Sequence, residues 1–289
     1  MPKKKKRRIR WGRVFFALFL VVFLFASTIA AGAYFIVDYK LNHGKNTYIA
    51  VIGTDERPTD TKRQRSDVIM FTSVDFDESN IKLISLPRDS LVDIPCRTDL
   101  QDKITHAYAY GGKSCTMDAL KVLFEVDEIE HYVQVNFDSL IALVDDLGGI
   151  TLTPTKSFSE YNVGKTEKYT FEKGKTVEMD GAMALAYCRH RKSDSDIFRT
   201  QRQQEVLMAM LSKAKKLDLG QMYKLSQKVL DEVDTNISLL EAMTYFKLVL
   251  RDEFTLNKTS AKGSDYYIDG GYYYKLNEDW LNETIESLK

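Results

Sequence analysis

The sequence predicts an α/β domain, a sheet covered by helices, behind a single membrane-spanning helix at the N-terminus. Three observations predict it. An uncharged run at residues 14–37 follows a basic tail, strand-like and helix-like segments alternate between residues 48 and 147, and no low-complexity linker interrupts the rest of the chain.

The first element is the anchor. Val14 to Val37 is an unbroken uncharged stretch of 24 residues, which as a helix at ~1.5 Å per residue spans ~36 Å, enough for a ~30 Å hydrocarbon core with some tilt. Lys3 to Lys6, Arg7, Arg8, Arg10 and Arg13 precede it without a single acid. Positive charge is retained on the cytoplasmic side, so the expected localisation is the cell membrane, single-pass, with a cytoplasmic N-terminus and everything after Asp38 outside. The same segment also reads as a cleaved signal peptide, with Ala31-Gly32-Ala33 as the small-residue site, although its apolar stretch exceeds the usual ~7–15 residues. A basic tail also suits nucleic acid, but its place directly before an apolar span makes topology the simpler cause. The organisation expected is a cytoplasmic tail (1–13), a transmembrane helix (14–37), a short linker (38–46) and one extracytoplasmic catalytic domain (47–289).

Formal neutrality of the whole chain averages two compartments. Setting aside the eight tail cations leaves 33 Lys/Arg against 41 Asp/Glu, a net charge of −8 beyond the anchor. Such a domain has no long-range attraction for polyanions, so a phosphate-bearing ligand requires a local cluster of cations, and nucleic acid is not an expected partner. Of the three cysteines, Cys96 and Cys115 bracket a polar loop and are expected to pair in an oxidising compartment, whereas Cys188 follows the apolar stretch Ala182 to Tyr187 and is expected to be buried and free. No paired Cys/His spacing suggests zinc.

Within the domain, Tyr48 to Ile52 reads as a buried strand opening into a loop at Gly53-Thr54-Asp55, and Val68 to Val74 and Ile81 to Leu86 as two more strands, the latter stopping at Pro87-Arg88-Asp89. A short helix is expected at 117–124, a strand at His131 to Val135, and a helix from Phe137 to Leu147 capped by Asn136 and closed by Gly148-Gly149. The polar stretch 155–180 suggests no regular element. Gly181 to Leu185 is predicted helical, Ala186 to Arg191 extended, and helices follow at about 199–216, 219–232 and 238–251. Tyr266 to Ile268 and Tyr272 to Tyr274 are strand-like, with edge-strand packing preferred to a sugar platform as the role of the tyrosine run, and Glu278 to Leu288 forms a closing amphipathic helix.

Arginines carry the candidate chemistry. If Tyr187 to Arg191 is extended, Arg189 and Arg191 share one face ~6.5–7 Å apart, and two guanidinium forks at that separation match a pyrophosphate. In the next helix, stepping back from the apolar stripe of Val206, Met210 and Ala214 reaches Arg202 and Arg199, with Gln203 beside them, so both cations continue the inward face and need anionic partners. Asp55 and Asp67 flank a polar loop containing Arg57, Arg63 and Arg65, and two carboxylates with room for water suit magnesium. A solvated loop fits the same residues.

Taken together these blocks resemble a known family. Gly53-Thr54-Asp55-Glu56-Arg57, Arg65-Ser66-Asp67, Ser85-Leu86-Pro87-Arg88-Asp89, Lys103 to Gly112, Val135-Asn136-Phe137, Asp146 to Gly149, Arg189-His190-Arg191 and Arg199 to Gln204 occur in the order seen in the LytR-CpsA-Psr proteins of Gram-positive cell envelopes. The resemblance implies an α/β/α domain, a central mixed β-sheet flanked by helices, enclosing a hydrophobic pocket for a polyprenyl chain. It implies magnesium-dependent transfer of a glycopolymer, such as wall teichoic acid or capsular polysaccharide, from a polyprenyl-pyrophosphate carrier in the membrane to a peptidoglycan acceptor, with pyrophosphatase activity as a side reaction. Asp55 and Asp67 fall at the magnesium and activation positions. Arg65, Arg88 with Asp89, Arg189, Arg191, Arg199, Arg202 and Gln203 fall at the substrate-binding positions, and Arg88 also among the catalytic ones. This chain departs from the usual pattern at Cys96, at Cys188, and at Phe198, where glycine often precedes the arginine. Phe198 cannot freely adopt positive φ, so a different loop is expected to aim Arg199. A non-enzymatic carrier of lipid-linked polymers and an envelope-linked regulator are the competing readings, and a regulator that reads DNA is excluded by the location expected for the domain.

The orientation is testable. Protease added to intact, wall-stripped cells should digest residues 38–289 and leave an N-terminal tag protected; a resistant domain beside a digested tag would reverse the topology.

Overall fold

Six strands of one sheet take their order from two antiparallel pairings between consecutive strands and three longer connections. The structure, a computed structural model, describes residues 46–54, 65–98, 101–190 and 196–289, and Lys45–Lys289 is one compact unit. Among the described residues no helix is long and apolar enough to cross a membrane, and the expected span at 14–37 lies outside them.

β1 (Thr47–Thr54), β2 (Ser66–Asp75) and β3 (Asn80–Leu86) pair antiparallel in sequence. β6 (His131–Val135) lies parallel to β1, β12 (Thr255–Ser260) parallel to β3, and the two-residue β11 (Asp234–Thr235) caps the β6 edge. The order is β11-β6-β1-β2-β3-β12, a mixed sheet whose pairing directions hydrophobic pattern alone could not separate. The C-terminal ends of β1, β3, β6 and β12 and the start of β2 therefore meet at one edge.

Period-two alternation gives that sheet two apolar faces. Ala50, Ile69, Phe71, Ile84 and Leu86 point to one side and join Ile104, Ala119, Leu120 and Phe124 of helix α1 (Ile104–Phe124) in the first core. Met70, Val74 and Leu83 point to the other. A second core gathers Val144 of α2 (Phe137–Asp146), Ala184 and Tyr187 of α3 (Gly181–Arg189) and Val206 of α4 (Asp196–Ala214). Helices α5 (Leu219–Glu232) and α6 (Leu239–Val249) each open with a capping box, at Asp218 and Ser238, and α7 (Glu278–Glu286) closes the chain against the first core through Trp280. Helices on both faces of a mixed sheet match the predicted class.

Several expectations change. Ala186 to Arg189, expected extended as part of Ala186 to Arg191, is helical: α3 runs through Arg189, because Asp180 caps it by accepting from the Met183 amide and Ala, Leu and Met favour helix. Five alternating residues were too few to distinguish the two periods. Helix 117–124 extends back to Ile104 across a break at Gly111 and Gly112, where Gly112 takes φ +63°. The polar stretch 155–180 contains an antiparallel hairpin of β8 (Phe158–Tyr161) and β9 (Lys168–Phe171), and β10 (Val177–Met179) pairs with β7 (Ile150–Leu152). The second crossing of helices is tight: a Cβ on Gly181 would stand 2.3 Å from the Ile141 carbonyl oxygen.

Cys96 and Cys115 are joined, with Cα atoms 5.5 Å apart, but the residues between them are not a plain loop. They hold β5 (Gln101–Lys103), which pairs with β4 (Leu91–Asp93), and the first half of α1. Cys188 is buried and unbridged, and burial pushes its thiol up to about 12, with Arg202 pulling the other way. Native-state alkylation at pH 8 should therefore spare Cys188, and peptide mapping without reductant should recover Cys96 linked to Cys115. Reducing that bridge should cost about 3 kcal/mol for a loop of this length, read by denaturant unfolding; rapid labelling of Cys188 in the folded protein would contradict its placement.

Candidate active site

The shared sheet edge brings together Asp67, Arg88 and Arg199, three of the residues that the sequence singled out. Asp67, second residue of β2, is half-buried, and its Oδ1 accepts from Arg88 Nη1 at 2.7 Å. Arg88 lies two residues past the end of β3, as Asp67 lies two before Ile69, so continuing the antiparallel register that pairs Ile69 with Leu86 brings the two side chains together. The Arg88 Nε lies 3.5 Å from Asp89, whose other oxygen is 2.8 Å from Lys103 Nζ. A chain of alternating charge thus runs Asp67, Arg88, Asp89, Lys103. Beneath it, the Thr105 hydroxyl donates to the Ser66 carbonyl at 2.7 Å and the Thr105 amide to the Arg88 carbonyl at 3.1 Å, which ties the start of α1 to both strands.

Helix α4 delivers the next two cations from the opposite side. Arg199 and Arg202 are 4% and 3% exposed, as their place on the inward face predicted. Arg199 Nη2 donates to the Asp67 carbonyl at 3.3 Å, and Arg202 Nη2 donates to the His190 carbonyl. The Arg202 guanidinium also sits 5.0 Å from the Phe158 ring centroid, and Phe158 stacks on His190, whose Nδ1 is 3.0 Å from Glu160. Phe198 lies inside the first turn of α4, so no left-handed backbone is needed to aim Arg199. Tyr187 donates to Glu205 of the same helix, and burial together with that carboxylate raises its phenol, keeping it a donor.

The remaining positions divide. Arg189 ends α3 with its guanidinium 5.0 Å from the Phe137 ring centroid, at the start of α2. It shares no strand with Arg191, which lies outside the described residues, as do Asp55, Arg57 and Arg63. Arg65 is exposed at the entrance to β2. Gln203 is half-buried and makes no hydrogen bond among the described residues; its neighbour Gln204 is the one that reaches the sheet, donating to Ser85 Oγ at 2.8 Å. Sequence pattern missed Gln204 because α4 buries two faces, and the second carries polar Thr200 and Gln204, invisible to hydrophobic periodicity. Thr105 and the His190–Glu160 pair were missed for the same reason.

An open polar cleft of about 510 Å³ sits at the break in α1, lined by Lys113, Gln134, Asn136, Ser139, Glu232 and Asp234. Among the described residues no group of three or more His, Cys, Asp or Glu forms a metal cage. Magnesium needs only one or two carboxylates besides waters and phosphate oxygens. Asp67 fits that requirement, since Arg88 engages only its Oδ1.

Buried guanidinium groups beside a half-buried carboxylate give this edge the means to hold an anion. The LytR_cpsA_psr family model matches residues 27–289, and the chain belongs to that family. It is 31% identical, over 99% of its length and 96% of the relative's, to the polyisoprenyl-teichoic acid–peptidoglycan teichoic acid transferase TagT of Bacillus subtilis. The crystal structure of B. subtilis TagV superposes with a TM-score of 0.77 at 27% identity, covering 84% of this chain and 96% of that one. A structure of TagT with bound octaprenyl pyrophosphate lipid gives 0.66 at 28% identity, covering 84% and 89%.

Replacing Gln204 by Ala should leave Ser85 Oγ short of its buried partner and lower the unfolding free energy by about 1–3 kcal/mol, measured by denaturant titration. A loss within the ~0.5 kcal/mol typical of surface changes would show that this contact does not tie α4 to the sheet.

Proposed function

We propose that this chain is a membrane-anchored phosphotransferase that moves an anionic glycopolymer from a polyprenyl-pyrophosphate carrier to peptidoglycan on the outer side of the membrane. The observation that carries the reading is the convergence of Arg88 and Arg199 on Asp67 at one sheet edge, with Arg202 buried one turn along the same helix, next to an apolar face. On that face Val51, Val68, Val133 and Leu256 are only half-buried, which supports a groove for the lipid between the sheet and helices α4 to α6. The names of the relatives support transfer of teichoic acid to peptidoglycan; capsular polysaccharide is the other donor of the same chemical class, and hydrolysis of the pyrophosphate is transfer with water as acceptor.

In the proposed reaction a sugar hydroxyl of the acceptor attacks the phosphorus nearer the glycan. A phosphorus–oxygen bond forms to the acceptor, the bond to the bridging oxygen breaks, and polyprenyl phosphate departs with that electron pair. The hydroxyl proton passes to a carboxylate, Asp55 or Asp67, with Asp55 favoured because it follows β1 inside the densest motif. Arg88, Arg199 and Arg202, together with Arg65, Arg189 and Arg191, hold the pyrophosphate and stabilise charge building on its equatorial and leaving oxygens. Asp67 and Asp55 would hold magnesium, which when bound supplies further charge neutralisation at those oxygens. Asp89 orients Arg88 from the other side, and Gln203 stands beside the phosphate arginines.

Asp55→Asn and Asp67→Asn should abolish release of polyprenyl phosphate from a lipid-linked oligosaccharide while lipid binding persists, because the apolar tail supplies much of the affinity. Arg88→Ala should lower turnover by ~10²–10³, and Arg189→Lys should not restore full rate because lysine lacks the bidentate fork. If both Asp variants release polyprenyl phosphate as fast as the unaltered protein, the carboxylates are not catalytic and a non-enzymatic lipid carrier becomes the better reading.

A further inference from the structure

Tyrosine, an amphipathic residue, is concentrated in one element next to the Arg88–Asp89 segment. β13 (Gly263–Ile268) and β14 (Gly271–Leu276) form a separate two-stranded hairpin in which Tyr266 faces Tyr273 and Tyr267 faces Tyr272. An isolated hairpin is marginal in water, and this one is tied to the first core at its base. Tyr274 and Leu276 are buried in the first core, and the Tyr274 amide donates to the Asp89 carbonyl at 2.9 Å. Beyond the base, Tyr266, Tyr267 and Tyr272 are 42%, 65% and 37% exposed. The run expected to pack at a sheet edge lies in the edge strand β14, with Tyr274 buried, Tyr273 half-buried and Tyr272 exposed.

The arrangement of the exposed rings is specific. Tyr267 and Tyr272 lie edge to face with centroids 5.7 Å apart, and the Tyr272 hydroxyl donates to Asp265 Oδ1 at 3.0 Å. Lys103, already 2.8 Å from Asp89, places its Nζ 5.8 and 5.4 Å from the centroids of Tyr272 and Tyr273. The aromatic surface is therefore continuous with Asp89 and, through it, with Arg88.

Charge narrows the occupant. Residues 263–276 carry Asp265, Asp269 and Lys275, a net of −1, which repels an anionic polymer or an anionic lipid headgroup. Ile268 is the one aliphatic side chain among the exposed large residues of the hairpin, little for a bilayer contact. A pyranose offers an apolar C–H face and a rim of hydroxyls, and a tyrosine ring flanked by a carboxylate and an ammonium offers the complement of each.

We propose that the β13–β14 hairpin is the acceptor subsite, on which a neutral β-linked amino-sugar strand stacks against Tyr267 and Tyr272 and is led toward Arg88 by Lys103 and Asp89. This rests on the transferase reading and adds to it where the acceptor lies. The strand is recognised by ring stacking and by hydrogen bonds to its hydroxyls, not by charge.

The test uses the full-length protein in detergent micelles with chitotetraose, four β-1,4-linked N-acetylglucosamines, as probe and saturation-transfer NMR as readout. The unaltered protein should bind it, and Tyr267→Ser with Tyr272→Ser should weaken binding about tenfold, while Tyr267→Phe with Tyr272→Phe retains most of it. Octaprenyl pyrophosphate binding, followed in the same samples by thermal shift, should stay within about twofold in every variant. Absence of chitotetraose binding, or equal binding by the serine variant, overturns the subsite and leaves the donor site standing. A serine variant that keeps chitotetraose but loses association with phosphatidylcholine–phosphatidylglycerol vesicles makes the hairpin a membrane contact and likewise overturns it. Failure of the unaltered protein to bind octaprenyl pyrophosphate would instead count against the transferase reading itself.

Discussion

Burying a cation is the constraint around which the domain is arranged. Arg199 and Arg202 lie on the core side of α4, almost without exposure, and a guanidinium removed from water is tolerated only where electronegative atoms surround it. The carbonyls of Asp67 and His190 do so from two different elements. Docking α4 therefore fixes the start of β2 and the end of α3 relative to one another. The antiparallel register then carries Arg88 to Asp67, and the edge acquires its concentration of positive charge although the domain as a whole is acidic. Two cations that burden folding are in this way pre-positioned for an anionic ligand, whose binding would relieve part of that cost.

Much of this was legible in sequence because it obeyed a period. The three opening strands alternate, α2 carries a recognisable Asn136 cap, and the inward stripe of α4 passes through Val206 to both arginines. What escaped is of two kinds. Short polar strands such as β12, which pairs through backbone groups while showing exposed Thr255, Asn257 and Lys258, leave no hydrophobic signature. Tertiary polar contacts such as Gln204 to Ser85 are set by packing, which no local window reports.

The misreading of residues 186–191 shows how a local pattern loses to a neighbour. Alternating polarity suggested extension, but the Asp180 cap nucleates a helix upstream and nothing before Arg189 stops it. The geometric argument for a two-arginine strand fails with it. Arg189 instead projects from a helix end toward Phe137, so this part of the cationic rim is supplied by the junction of two helices and not by a pleated face.

The three cysteines have a consequence for biogenesis. Three thiols permit three single-bridge isomers, and only one of them is compatible with both cores. Cys115 belongs to the first cluster and Cys188 to the second, so either isomer that recruits Cys188 must pull it out of the packing around Tyr187 and Val206. Correct pairing is thus enforced by a residue that takes no part in it. A chain oxidised before its second cluster closes would depend on thiol exchange to recover the native pair.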